Sequence, residues 1–436
     1  MKTTKYFIMT VILLFSFTGC KNDDEEPQLP IPEGDVSVQL KLLDAVMTTT
    51  YAAGTDIEPP IGGESDLASN LEVFVFDSLE NFEYYKQVGN NSGVTDPFKI
   101  SAGPKYFYVF SNFPGNLPVP GPNTKRENFE KNIRTTILSN NNTDISQNSN
   151  FFIGTLWQDT IRVKGIGTTA SPEPITVPVG RIVAKVMLTG APSKAGGSNL
   201  KGDFDSVYYR VKSIPSDFYI VGQYTGGLDE QPPKKLGIPV ISAVHTEDNF
   251  STKFTDYVFP DSTTTPTNVG INGIPYYIIE NTTQPDANGK LYFANTTYIQ
   301  VKLKYKPDIT TEVYNGSTGQ PEARLDDSGD FYVGTYNGSR LIFNEDPTPT
   351  GATDIVYYQK GLNYYNIPIK DISEDTLTLQ ARVLRNHYYD IAIKSISRLG
   401  ENTPDVPPTT PIIEDRDIEL NITVLPWSKI KYEPEI

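Results

Sequence analysis

Apolar and polar residues alternate in run after run of this chain. Val36, Val38, Leu40 and Leu42 are separated by Ser37, Gln39 and Lys41, and Ile418, Leu420, Ile422 and Val424 by Glu419, Asn421 and Thr423. A period of two puts each apolar set on one face of an extended strand, which no helix can do. The stretches Leu71–Asp77 and Lys105–Ser111 are almost continuously apolar and end in turn residues, so they read as central strands. Further strands are expected around 207–213, 276–280, 297–305, 362–369 and 386–396, with Thr/Pro/Asp loops at 259–268, 345–352 and 401–411. The 26 Tyr, 21 Phe, 33 Gly and 34 Pro favour strands and turns in the same way. One helix is expected over 124–139, where Phe129, Ile133 and Ile137 recur at i, i+4 and i+8 behind Asn123 or Thr124 as N-cap. The expected fold is therefore mainly β: two β-sandwich domains in tandem, 36–178 and 179–436, divided at the Pro-spaced stretch that ends at Pro178, with one short helix.

Several function classes fall away on composition. The formal charge is −16 with no basic stripe, a poor match to a phosphate backbone, so nucleic acid is not an expected partner. A single cysteine, Cys20, excludes disulfide frameworks, zinc knuckles and CxxC redox pairs, and two histidines, His245 and His387, exclude a multi-histidine metal site. Gly165-Ile166-Gly167-Thr168-Thr169-Ala170 matches G-x-G-x-x-A after a short strand, but Pro172 and Pro174 follow where a dinucleotide site needs a helix N-terminus. The acidic turn Asp326–Asp330 lacks the spacing and distant Glu of a calcium loop and reads as a solvated turn. Neither histidine lies in a G-x-S-x-G or H-E-x-x-H setting. No catalytic, metal or cofactor residue is expected, and no enzymatic activity. A hydrolase built on two remote carboxylates would leave no local signature to read. Six Tyr-Tyr doublets, at 84–85, 208–209, 276–277, 357–358, 364–365 and 388–389, should each offer one ring to the core and one to the surface.

At the N-terminus, Lys2 and Lys5 precede an apolar run from Tyr6 to Phe17 that is too short to span a bilayer. It ends in Phe17-Thr18-Gly19-Cys20, which resembles a bacterial lipobox and implies a signal peptide over 1–19 with lipid on Cys20. The acidic run Asp23–Glu26 directly behind that cysteine resembles the surface-export signal of Bacteroidota lipoproteins. Residues 20–35 then form an acidic, Pro-rich tether. The expectation is a surface-exposed outer-membrane lipoprotein, held to the membrane lipid through Cys20.

The C-terminal region is the most specific. Pro426-Trp427 interrupts the alternation begun at Ile418, and Ile430, Tyr432, Pro434 and Ile436 resume it in the same register. A segment so patterned needs a strand to pair with, in this chain or in another, because an unpaired edge invites aggregation. Leu384–Gly400, with its Arg385-Asn386-His387-Tyr388 start, resembles the RNHxYxVxIxSIxxLG segment of the Bacteroidota fimbrillin family. Ile422–Trp427 is similar to that family's closing VxVxPW strand, and Gly180–Val186, Leu71–Asp77 and Tyr108–Asn112 fit more weakly.

The resemblance implies a fimbrillin, with transthyretin-like β-sandwich domains, that serves as a structural subunit of a type V pilus. Family members travel as lipoproteins; a protease cuts after an arginine, frees the first strand and opens a groove, which a neighbour's C-terminal strand fills. Carried over, the groove strand is Val36, Val38, Leu40 and Leu42, and the donor strand is 418–436 with Ile418, Leu420, Ile422, Val424, Trp427, Ile430 and Tyr432. Partners would be other fimbrial subunits and adhesion ligands. One departure bears on position in the fibre: no arginine lies between Cys20 and Lys125, and no lysine between Val46 and Leu71. An uncut subunit would keep its first strand and its lipid and stand at the base as an anchor. A reading from another class is a surface glycan-binding lipoprotein of a polysaccharide-uptake system, with exposed tyrosines, Trp157 and Trp427 lining a sugar platform.

Overall fold

The computed structural model describes residues 36–44, 70–91, 93–113, 117–131, 133–135, 146–147, 150–155, 160–189, 193–215, 217–222, 224–225, 238–239, 254–255, 275–282, 290–325, 327–369, 381–407, 410–412 and 418–426. The chain is mainly β, as the alternation demands.

The N-terminal unit contains β1 (Val36–Asp44), β2 (Asn70–Asp77), β3 (Phe82–Asn91), β4 (Val94–Thr95), β5 (Phe98–Ile100) and β6 (Gly103–Ser111). Helix α1 (Arg126–Glu130) follows, then β7 (Ile133–Thr135), β8 (Ile153–Thr155), β9 (Ile161–Val163) and β10 (Glu173–Arg181). Antiparallel pairing runs from β6 through β2, β3 and β4 to β1. β1 pairs parallel with β10, β10 antiparallel with β8, and β8 with β6, so the circuit closes on itself. The two faces of this unit are thus joined along both edges, and β1 is one stave of the ring.

Strands β2 and β6 explain why their sequences are apolar throughout. Val73, Val75, Phe107 and Val109 point into the ring with Val38 and Leu40. Their neighbours Phe74, Phe76, Tyr108 and Phe110 point outward into a second core, around Phe129, that continues into the C-terminal unit. The expected helix is cut to a single turn and a half. Lys125 stands at its N-cap and its side chain makes no capping bond to the helix, and only Phe129 of the periodic set is buried within it. Ile133–Thr135 instead pairs as β7 with β13 (Asp217–Tyr219). Ile133, Thr135, Thr136 and Ile137 are β-branched, which lowers helix propensity and favours the pleat; tertiary pairing then outweighs a weak helical period.

The C-terminal unit holds β11 (Val183–Thr189) and β12 (Asp203–Lys212), then β13, β14 (Tyr276–Ile279), β15 (Tyr298–Lys306) and β16 (Val313–Tyr314). Next come β17 (Phe331–Tyr336), β18 (Ser339–Phe343), β19 (Thr353–Tyr358), β20 (Leu362–Pro368), β21 (His387–Ile396) and β22 (Ile418–Pro426). Two sheets, β14–β11–β21–β22 and β12–β15–β20, bury Val186, Leu188 and Ile391 against Val211, Val301 and Ile367 in one core. A smaller sheet, β16–β18–β17–β19, is inserted between β15 and β20 and closes its own core on Tyr305, Phe331 and Val333. At the junction β10 continues through Pro178 to Arg181, and the chain changes sheets at Ile182, whose N–H donates to the Phe152 carbonyl at 2.8 Å. The two units share a buried cluster and a β7–β13 pair, so they are packed units rather than beads on a linker.

Candidate functional site

The site is made of three parts: the stave β1, the closing strand β22, and the turn that joins them to one frame. In β1, Val36, Val38 and Leu40 are buried and Leu42 is half-buried, as the alternation predicts. The outward residues grade from buried Ser37 through half-buried Gln39 to exposed Lys41. β10 holds one side of β1 in a parallel ladder from Val38↔Glu173 to Asp44↔Val179. On the other side β5 pairs with Val36–Val38, and then the ladder is taken over by a side chain. The Leu40 N–H donates to Thr95 Oγ1 at 3.0 Å, and Gln39 Nε2 donates to the Thr95 carbonyl at 2.8 Å. The Leu42 N–H donates to the Gly93 carbonyl at 2.8 Å.

The G-x-G-x-x-A segment lies over the beginning of β1. Its amides do not await a phosphate: the N–H groups of Lys164, Gly165 and Ile166 donate to the Glu173 carboxylate at 2.7, 3.2 and 3.4 Å. The Gly167 carbonyl accepts the Ser37 N–H at 3.2 Å. A Cβ on Gly167 would lie 1.9 Å from the Ser37 carbonyl oxygen, so only glycine lets this loop come so near β1. An anion-binding nest is thus filled by the chain's own glutamate, which neither the motif nor its spacing could reveal.

β22 pairs antiparallel with β21 along its whole length, from His387↔Pro426 to Ile396↔Ile418, at the end of its sheet. Ile418, Leu420, Ile422 and Val424 therefore lie in a strand of their own chain's sheet. Trp427, Ile430 and Tyr432, together with Cys20, Trp157 and His245, lie outside the described residues.

Arg385, Asn386 and His387 form the third part. Arg385 is 1% exposed and pairs with Glu280, its Nε donating to Glu280 Oε2 at 2.8 Å. The same guanidinium donates to the Tyr219 carbonyl at 2.9 Å and the Ile220 carbonyl at 3.2 Å, capping the end of β13. Asn386, at φ 59°, turns the chain into β21. Its N–H donates to the Val183 carbonyl at 2.9 Å, and its Oδ1 accepts the Arg181 N–H at 3.1 Å, one bond on each side of the sheet change. His387 Nδ1 faces the Arg385 carbonyl at 2.8 Å in a buried site. Three consecutive polar residues leading into a strand were the visible signal; their role in tying the two units together was not legible. Nearby, Tyr276 donates to the Tyr209 carbonyl at 3.2 Å, and burial pushes its phenol up to about 12.

Among the tyrosine doublets, Tyr209, Tyr276 and Tyr358 are buried while Tyr208, Tyr277 and Tyr357 are less so, as expected of strands with one covered face. Tyr364 and Tyr365, and likewise Tyr388 and Tyr389, are all buried, so at these positions both faces of β20 and β21 are covered. The acidic turn behaves as a turn: Asp330 accepts the Tyr357 hydroxyl and the Lys360 N–H, both at 2.6 Å, and these bonds hold its carboxyl below the usual range. Among the described residues no group of three metal-ligating side chains occurs, and no helix is long and apolar enough to cross a membrane.

Residues 356–433 match the family model described as major fimbrial subunit protein type IV, fimbrillin, C-terminal. The stretch takes in the end of β19, β20, β21 with its Arg-Asn-His start, and β22, so the resemblance seen in the sequence holds for this region. No curated protein matches the chain. Solved structures similar to it include a candidate cell adhesion protein from Parabacteroides distasonis, at 13% identity over 93% of this chain and 100% of that one, TM-score 0.48. Another is a fimbrilin from Porphyromonas gingivalis, at 16% identity over 92% and 99%, TM-score 0.47. A third is the C-terminally truncated tip fimbrial protein of the same organism, at 13% identity over 90% and 100%, TM-score 0.39.

Proposed function

We propose that this protein is a non-enzymatic structural subunit of a surface fimbria, joined to its neighbours by strand exchange. The observation that carries the proposal is the fimbrillin C-terminal match over 356–433, which includes the closing strand β22. The ring around β1 supports it physically. β1 is separated in sequence from the next stave and contributes three buried side chains, each worth roughly 1.5–3 kcal/mol. Losing them without replacement would remove an amount comparable to the stability of a whole domain. A strand supplied from another chain, with apolar residues at alternate positions, could replace both those side chains and the ladder bonds.

On this reading Cys20 carries lipid and tethers the subunit at the outer membrane. The first arginine of the chain, Arg126, sits in α1 bound to Glu80 and Glu130, far along the chain from β1, and Lys41 lies inside β1. Nothing basic stands where a cut would free β1, which favours a basal anchor that keeps its own strand and contributes its C-terminal segment to the next subunit. N-terminal sequencing of protein isolated from fibres tests this. The anchor reading expects a blocked, lipidated Cys20; a start between Ala45 and Gly63 would instead make it a stalk subunit whose β1 is removed.

A further inference from the structure

We infer that the slot occupied by β1 and the segment after Pro426 are not complementary, so that this chain joins a different subunit and does not chain with copies of itself. The inference rests on the strand-exchange reading and narrows it to a kind of partner. Its basis is the outward side of β1. Ser37 is only 3% exposed, although its side chain points away from the ring interior. The Gly165–Gly167 loop lies directly on the Ser37 backbone, and that loop is fixed from both ends. Gly167 is bonded to Ser37 and too close to its backbone for any other residue, while the loop amides are held by Glu173, itself 4% exposed. A strand that fills the Val36 and Val38 positions must therefore carry a small residue between them.

The segment after Pro426 does not. Its apolar residues Ile430, Tyr432, Pro434 and Ile436 are separated by Lys431, Glu433 and Glu435. Whichever pair takes the first two pockets, and whichever way the strand runs, a lysine or glutamate falls where Ser37 lies. Burying that charge without a partner is costly, and the Glu173 carboxylate is already occupied by three amides. Pro434 also lacks the N–H that Ser37, Leu40 and Leu42 each donate across the slot. The alternative donor, Ile418–Pro426, has the smaller Asn421 and Thr423 in between, but it is already paired along its length with β21. The acceptor that fits the segment after Pro426 is a chain whose groove is open along its outward side, where alternating Lys and Glu reach solvent.

The test uses the full chain with Ala52→Arg, cut by an arginine-specific protease, and labelled peptides of residues 36–43, the same peptide with Ser37→Lys, and residues 427–436. The 36–43 peptide should bind, its Ser37→Lys form about a hundredfold more weakly, and 427–436 not measurably. Binding of 427–436 as tight as that of 36–43, or no loss on Ser37→Lys, overturns the inference while leaving strand exchange intact. Failure of 36–43 itself to bind overturns the strand-exchange reading. If the cut does not occur, the uncut chain decides: Ser37→Lys should lower the melting temperature and Ser37→Ala leave it near wild type, whereas equal melting temperatures overturn the inference.

Discussion

Truncation of Leu40 to alanine should be among the most destabilising single changes in β1. Leu40 is fully buried at the middle of the strand, opposite Ile175 of β10. Leu→Ala in a core costs about 2–5 kcal/mol, and the value depends on how far the surroundings can collapse into the space. Here collapse is restrained on both sides, by the β10 ladder and by the Thr95 bond to the Leu40 amide. The upper half of that range, about 4 kcal/mol, is therefore expected. With a urea slope of about 2 kcal/mol per molar, the unfolding midpoint should fall by about 2 M. Leu42→Ala, at a half-buried position, should cost clearly less, and Lys41→Ala, on the exposed side, within about 0.5 kcal/mol of nothing. Urea titration followed by far-ultraviolet circular dichroism measures all three. If Leu40→Ala and Lys41→Ala unfold at the same midpoint, β1 is not a stave of the core and the slot argument fails with it.

Glu280→Leu leaves the buried Arg385 charge without its carboxylate and should cost about 3–5 kcal/mol, partly recovered in the double variant with Arg385→Met. Urea titration of the two single variants and the double reads the coupling, and simple additivity would contradict the buried-pair account. Asn386→Ala should destabilise by about 1–3 kcal/mol, because it removes the side-chain bond to the buried Arg181 amide and places an L residue at positive φ without the local polar bonding that favours asparagine there; a melting temperature equal to wild type would count against the junction role. Cys20→Ser should abolish lipid labelling and leave uncleaved precursor in the inner membrane, and a normally lipidated variant would refute the lipoprotein reading.

The strands were legible wherever the pattern itself is the cause of the structure. Alternation located β1 and β22, and the unbroken apolar runs located β2 and β6, whose odd and even residues turn out to serve two different cores. The helix over 124–139 was misread because Phe129, Ile133 and Ile137 satisfy a helical period by coincidence, and only the partner strand β13, far along the chain, decides that Ile133–Thr135 is extended. The doublets at 364–365 and 388–389 defied the one-in, one-out rule for a similar reason: period-two reasoning assumes one wet face, and β20 and β21 are covered on both sides at these positions, although β21 opens to solvent further on at Lys394. Least legible was the connection between distant polar residues. That Glu173 fills the G-x-G loop, that Thr95 replaces a stretch of ladder, and that Arg385 and Asn386 bind the junction are properties of the folded arrangement, with no local spacing to announce them.

The most direct test of the assembly account is deletion of residues 427–436 in cells that lack the wild-type copy, followed by electron microscopy and isolation of surface fibres. The deletion spares β22 and its pairing with β21, so the protein should fold and reach the surface. The truncated chain should no longer be recovered joined to other fimbrial subunits. Fibres of normal number and length that still contain it would contradict strand donation by this segment.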